Sequence, residues 1–201
     1  MGFLTRGFRG RKRPDSADRI PPGQYVTDDF PILTAGPTPR LPLEDEWRFT
    51  LTDLGGTDRT WTWTEFNKLP SETVTVDIHC VTKWSKLDTT WEGVSVETLL
   101  AGITERGSHA LFRCYGNYST NLPIEDVTER NAWIVFRYDR RPIPVEHGGP
   151  ARLLVPHLYF WKSAKWVRGM VLSNSDFPGF WETLGYHNYG NPWLEQRYAG
   201  D

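Results

Sequence analysis

The feature that most restricts the fold is a two-residue periodicity that recurs in short runs and is cut by proline and glycine. Val74, Val76, Ile78 and Cys80 alternate with Thr75, Asp77 and His79. Side chains on a strand point alternately to its two faces, so this stretch predicts a half-buried strand. Trp47, Phe49 and Leu51 alternate with Arg48 and Thr50 in the same way. Pro31, Pro37, Pro39 and Pro42 exclude a helix from the lead into that run. Further strands are expected at Ala110 to Cys114, Ala132 to Tyr138, Ala151 to Pro156 and Trp166 to Leu172. Helical signals are few. Thr64 reads as the cap of a helix that ends near Leu69, and Ser95 as the cap of one presenting Val96, Leu99, Leu100 and Ile103 on one face. Many short strands with few short helices predict a β-rich α+β domain. Residues 1–27 lack apolar periodicity and read as an extended tail, leaving 28–201 as the domain. The tryptophan-rich stretch from Phe177 to Tyr198 is expected to wrap over the core.

Charge narrows the function classes. Twenty-three basic residues against 25 acidic leave no global field to recruit nucleic acid or an anionic membrane, so any basic site is local. No run approaches the roughly 18–20 apolar residues of a membrane helix. The basic N-terminus is not followed by an apolar stretch of signal-peptide length, which predicts a cytoplasmic location. Two cysteines do not make a disulfide framework, and each thiol is left for packing or chemistry.

Cys80 has two readings at this level. It continues the apolar face of its strand, as a small core residue does. It also ends that strand just before a polar segment, "TKWSKLDTTW", read as a loop, where a rigid scaffold commonly presents a reactive group. His79 faces the other way and is not expected to share a metal with it. The remaining Cys and His residues show no C-x-x-C and no H-E-x-x-H, so a zinc site is not indicated. A lone soft thiolate can still hold a transition metal when a cofactor supplies the other sulfur donors. A pocket for one is suggested by "HGGPARLLVP" from His147. Its glycines allow close backbone approach, and Arg152 at a strand mouth makes an anion clamp. Lys162, Ser163, Lys165 and Arg168 lie among Tyr159, Phe160, Trp161 and Trp166, a mixture that suits a planar heterocycle bearing a phosphate or, alternatively, a solvated edge over a tryptophan core.

The segments "DIHCVTKWS", "HGGPARLLVP" and "WKSAKW" together carry a resemblance that runs from about Phe30 to the C-terminus. The chain resembles the sulfite oxidase-like, molybdopterin-dependent oxidoreductases, in particular their short single-domain bacterial members. In that family one cysteine thiolate ligates molybdenum and the dithiolene of a single molybdopterin supplies two more sulfurs, which implies Cys80 as the metal ligand of the catalytic centre. The H-G-x-P-x-R pattern implies pterin contacts from His147 and Arg152, and the downstream segment implies Ser163 and Lys165. Cys114, in "FRCYGN", matches a further pocket position, and Thr34, in "LTAGPTP", is placed near the cofactor. The anion-binding arginine that sulfite oxidases carry before the cysteine is missing, and Lys83, Lys86 and Arg113 are the cations left to replace it. Relatives include enzymes that oxidise sulfite and others that reduce methionine sulfoxide. The resemblance therefore implies oxygen-atom transfer on a small sulfur oxyanion or sulfoxide, without haem, with electrons exchanged with a separate partner, which the lack of an export signal leads us to expect is a soluble carrier. The alternatives are a non-catalytic molybdopterin-binding protein and a cofactor-free interaction module.

Overall fold

The computed structural model describes residues 18–42, 44–129 and 131–201. Within them eleven strands form two sheets, linked by helices of single turns. The first sheet is built on β1 (Tyr25–Val26), β4 (Glu72–His79), β5 (Trp84–Ser95), β8 (Trp133–Tyr138), β9 (Arg141–Pro142) and β10 (Arg152–Leu154). The second runs in the order β3 (Asp58–Thr62), β2 (Arg48–Thr52), β11 (Val167–Ser173), β6 (His109–Cys114), β7 (Ser119–Pro123). The expected β-rich α+β class is what the chain forms. Of the expected tail, residues 1–17 lie outside the described residues. Strand pairing begins ahead of Phe30, because Tyr25 and Val26 pair in parallel with Trp84 and Ser85.

Two apolar clusters explain why β8 reads as an unbroken apolar run. Ile134 and Phe136 point into a core shared with Phe49, Leu51, Phe112 and Met170 of the second sheet. Trp133 and Val135 point the opposite way, into a smaller cluster with Ile78, Cys80, Trp84, Trp91 and Leu154. A strand covered on both faces has no polar side to alternate with.

Two local expectations change. After a turn over residues 81–83, the segment read as a loop is strand β5 from Trp84 on, antiparallel to β4. Its pairing slips between Val76 and Ile78, which face Thr89 and Lys86. One extra residue is therefore accommodated on β5, where Asp88 takes a positive φ of 56°. The Asp77 carboxylate accepts from the Asp88 amide at 2.9 Å, and Arg19 holds both aspartates at 2.6 Å. The first helix, α1 (Trp63–Phe66), is capped by Thr62 rather than Thr64, in a reciprocal box with Glu65. The cap at Ser95 stands. It opens α2 (Val96–Leu99) by accepting from the Thr98 amide at 3.2 Å. Ser95→Ala is expected to cost about 1–2 kcal/mol, read as a lower urea midpoint at unchanged slope.

Candidate functional site

Cys80 sits in the tight turn between β4 and β5. Its amide donates to Trp84 O at 2.8 Å, its carbonyl accepts from Lys83 N at 3.0 Å, and Lys83 closes the turn at φ 74°. The Gln24 side chain donates to the same carbonyl at 3.1 Å. Backbone bonds thus fix the position while the side chain is left to face a cavity of about 780 Å³. The thiol is 7% exposed, and its one side-chain hydrogen-bond partner among the described residues is the Thr82 hydroxyl, donating at 3.1 Å. Burial pushes the thiol pKa up, and the Thr82 hydroxyl pulls against that. His79 lies on the other side, as alternation requires. Its Nδ1 pairs with Ser85 Oγ at 2.9 Å, and burial drives its pKa down to about 4.

The opposite wall of the cavity starts at the turn Val145–His147, which Gly148 ends in a left-handed conformation at φ 104°. A Cβ at Gly148 would meet Lys165 Cβ at 2.9 Å, so glycine lets the turn lie against the downstream segment. Arg152, at the start of β10, ties the two together. It is 1% exposed, donates from Nη1 to His147 O at 2.7 Å and from Nη2 to Ser163 O at 2.5 Å, and lies 4.1 Å over the Phe160 ring. Burial lowers its pKa to about 9, which still leaves it charged at neutral pH. Among the described residues no carboxylate pairs with it. Its Nε and the Nδ1 of His147 are buried without a partner. The His147 ring stacks on Phe30 at 4.0 Å. Lys165 Nζ donates to Leu33 O at 2.8 Å and Glu146 O at 2.5 Å, joining this wall to the proline-rich segment that carries Thr34 across the cavity.

Cys80, Thr34, His147, Arg152, Ser163 and Lys165 therefore line one cavity. Cys114 does not. Ala110, Phe112 and Cys114 share the buried face of β6, and the Cys114 thiol packs in the core between the sheets, where burial raises its pKa strongly. Lys83, Lys86 and Arg113 also lie off the cavity lining, where Arg40 is found instead. Lys86 is turned outward to Asp28 O. Trp161, which the sequence placed among the pocket's aromatic faces, forms a wall with Trp181 and Tyr186, which the sequence reading missed; the Trp161 and Trp181 rings lie 5.1 Å and 4.7 Å from Tyr186. Burial raises the Tyr186 pKa, and Tyr198 and Cys80 add to the shift, so its hydroxyl lies within electrostatic reach of the thiol. No three His, Cys, Asp or Glu side chains converge on one point among the described residues. Any metal held at Cys80 must draw its remaining donors from a bound group.

The chain is similar to known proteins over most of its length. Residues 35–181 match the family described as the oxidoreductase molybdopterin binding domain. The chain is 36% identical over 196 residues to an oxidoreductase of Bacillus subtilis (strain 168), YuiH, covering 96% of this chain and 99% of that one. It is 25% identical over 181 residues to a putative protein-methionine-sulfoxide reductase subunit of Azospira oryzae, YedZ1, covering 88% of this chain and 69% of that one. Its fold is similar to that of the sulfane dehydrogenase SoxCD from Paracoccus pantotrophus, with a TM-score of 0.60 at 20% identity. That match covers 68% of this chain and 40% of the dehydrogenase chain. Matched over residues 35–181 by that family's model and 36% identical to a relative along nearly its whole length, the chain belongs to the molybdopterin-binding oxidoreductase family, of the sulfite oxidase-like kind.

Proposed function

We propose that the chain binds molybdenum through Cys80 and one molybdopterin, and moves an oxygen atom onto or off a small sulfur oxyanion or sulfoxide. In this reading it exchanges electrons with a separate carrier. The observation that carries the proposal is the meeting, in one cavity, of a buried thiol with a buried guanidinium that lacks a counter-ion. A fully buried positive charge is costly unless an anion or strong acceptors compensate it. Carbonyls take two of the Arg152 nitrogens, which leaves Nε without a partner, as is Nδ1 of His147 on the same cavity lining. Those two nitrogens suit the phosphate and heteroatoms of a pterin, and Lys165 adds a second cation. When bound, the cofactor supplies a metal that cycles by two electrons and exchanges oxygen with the substrate.

The protein's own share is binding and orientation. Cys80 would hold the metal from its turn on the cavity lining, with the Thr82 hydroxyl placed to stabilise the thiolate. Arg152 and Lys165 hold the anionic end of the cofactor. Arg40 is exposed on the cavity lining, where it can meet an anionic substrate, while Trp161, Trp181 and Tyr186 offer apolar faces to a methyl-bearing sulfoxide. Protein made in a molybdenum-replete host with intact pterin synthesis is expected to carry about one molybdenum per chain. It should also turn over sulfite or methionine sulfoxide with a redox dye. Metal-free wild-type protein from that host contradicts the proposal.

Lys165 adds a pH dependence. Burial, and after it the charge of Arg152, lowers its pKa to about 8. It is protonated below that pH and neutral above it, so its hold on an anion weakens as pH rises through about 8, with a bound anion moving the midpoint upward. The fold does not weaken with it. The folded-state pKa lies below the unfolded value near 10.4, so the cost of burying this charge is relieved as pH rises through that window. Cofactor release followed by pterin fluorescence should accelerate between pH 7 and 9 in the wild type and stay flat in Lys165→Arg. Parallel curves would remove Lys165 from the cofactor clamp.

A further inference from the structure

Behind the aromatic wall lies a buried ion pair. Lys162 Nζ is 2.6 Å from Glu182 Oε1, and the two side chains are 0% and 1% exposed. The ammonium also donates to Asn121 O at 2.9 Å and Asn121 Oδ1 at 3.1 Å. Glu182 Oε1 additionally accepts the Trp161 indole N–H at 3.1 Å and the Thr120 hydroxyl at 3.3 Å, while Oε2 is buried without a partner. An ion pair this deep adds little stability that two apolar side chains would not supply. Its geometric effect is larger.

The pair anchors both sides of the wall at once. Trp161 is held by its indole on Glu182, by its carbonyl under the Tyr118 hydroxyl at 2.7 Å, and by its ring stacked on Tyr159 at 5.2 Å. Its edge meets Tyr186 at 5.1 Å. Glu182 itself belongs to the short helix α3 (Phe180–Thr183), next to Trp181, whose ring lies 4.7 Å from Tyr186. Gly179 brings this helix against β7, where a Cβ would meet Ser119 O at 2.5 Å and Glu182 Oε2 at 2.6 Å. The cofactor side of the same segment is fixed separately, by Arg152 on Ser163 O.

We infer that Lys162 and Glu182 are positioning residues for the substrate. They lock Trp161, and with it Trp181 and Tyr186, into one wall facing Cys80, and they do so without gripping the cofactor. The inference rests on the function proposed above.

The test uses Glu182→Gln, Lys162→Met, their double variant and Trp161→Phe, each made in a molybdenum-replete host and assayed with sulfite and with methionine sulfoxide. The double variant leaves no buried charge unpaired and decides the matter if the single variants do not fold. Expected are wild-type molybdenum content, KM raised about tenfold, the size of one lost charge-assisted hydrogen bond, and kcat changed less than about threefold. Trp161→Phe should raise KM by itself and add little to Glu182→Gln, because both remove the same charge-assisted hydrogen bond, between the Trp161 indole and the Glu182 carboxylate. The Trp161 indole N–H signal, assigned by its loss in Trp161→Phe, should shift and exchange faster in Glu182→Gln. Unchanged KM in a folded, metal-loaded variant, or additive effects of the two substitutions, assigns the pair to stability alone and overturns the inference. Loss of molybdenum in the double variant overturns it too, by placing the pair in the cofactor grip. If the double variant does not fold, an unchanged KM in Trp161→Phe overturns it. Wild-type protein that carries no molybdenum, or turns over neither probe, defeats the proposed function and this inference together.

Discussion

Cys80→Ser is expected to leave the fold intact and molybdenum content below about a tenth of wild type, with dye-coupled turnover lost in proportion. The bonds that build the turn are made by the Cys80 backbone, to Trp84 O, Lys83 N and the Gln24 side chain, and none needs the sulfur. A serine hydroxyl in the same place can pair with the Thr82 hydroxyl that now donates to Sγ, so the buried polar atom is satisfied and stability should fall by about 1 kcal/mol at most. As a ligand the replacement is poor. A hydroxyl does not ionise near neutral pH, and a hard oxygen is a weak match for a metal otherwise held by sulfur. Cys114→Ser is the control: its thiol lies in the core between the sheets, so it should keep the metal while losing some stability. Metal analysis together with a thermal melt separates the two variants. Equal molybdenum in Cys80→Ser and wild type would move the metal away from this turn.

How much of this could be read from the chain depends on whether the determining contacts are local. The alternation around Ile78 placed Cys80 at a strand end and turned His79 away from it, because a strand's period is a property of its own residues. The same rule failed in "TKWSKLDTTW", which forms β5 but reads as a loop. The extra residue near Asp88 slips the pattern by one, so Trp84 and Trp91 no longer fall on a single period. Thr62 was available as the better cap, since Glu65 three residues on completes the box. Cys114, assigned to the pocket by resemblance, lies off the cavity lining, because Ala110, Phe112 and Cys114 share one buried face of β6. Arg40 and Tyr186 left no local trace. They meet the cavity only because a proline-rich lead and the C-terminal wrap close over it from opposite ends of the chain.

Arg152→Ala should be the most damaging single change to the cavity that leaves its metal ligand untouched. The guanidinium donates to two backbone carbonyls from different segments, His147 O and Ser163 O, and removing it strands both acceptors and empties the face of Phe160. Hydrogen bonds from a charged donor contribute about 1.5–3 kcal/mol each, and the emptied volume adds to them, so a loss of about 3–5 kcal/mol is expected in a urea melt. Part of this is offset because the buried charge and its desolvation cost disappear along with its bonds. Cofactor retention should fall further than stability does, because the turn at Gly148 and the segment bearing Ser163 and Lys165 lose the side chain that spans them. Arg152→Lys distinguishes the two effects. One ammonium restores the charge but cannot form both forked contacts, so it should recover part of the stability while molybdenum content stays low. Wild-type molybdenum retention in Arg152→Ala would mean that the unpaired guanidinium answers to something other than the cofactor.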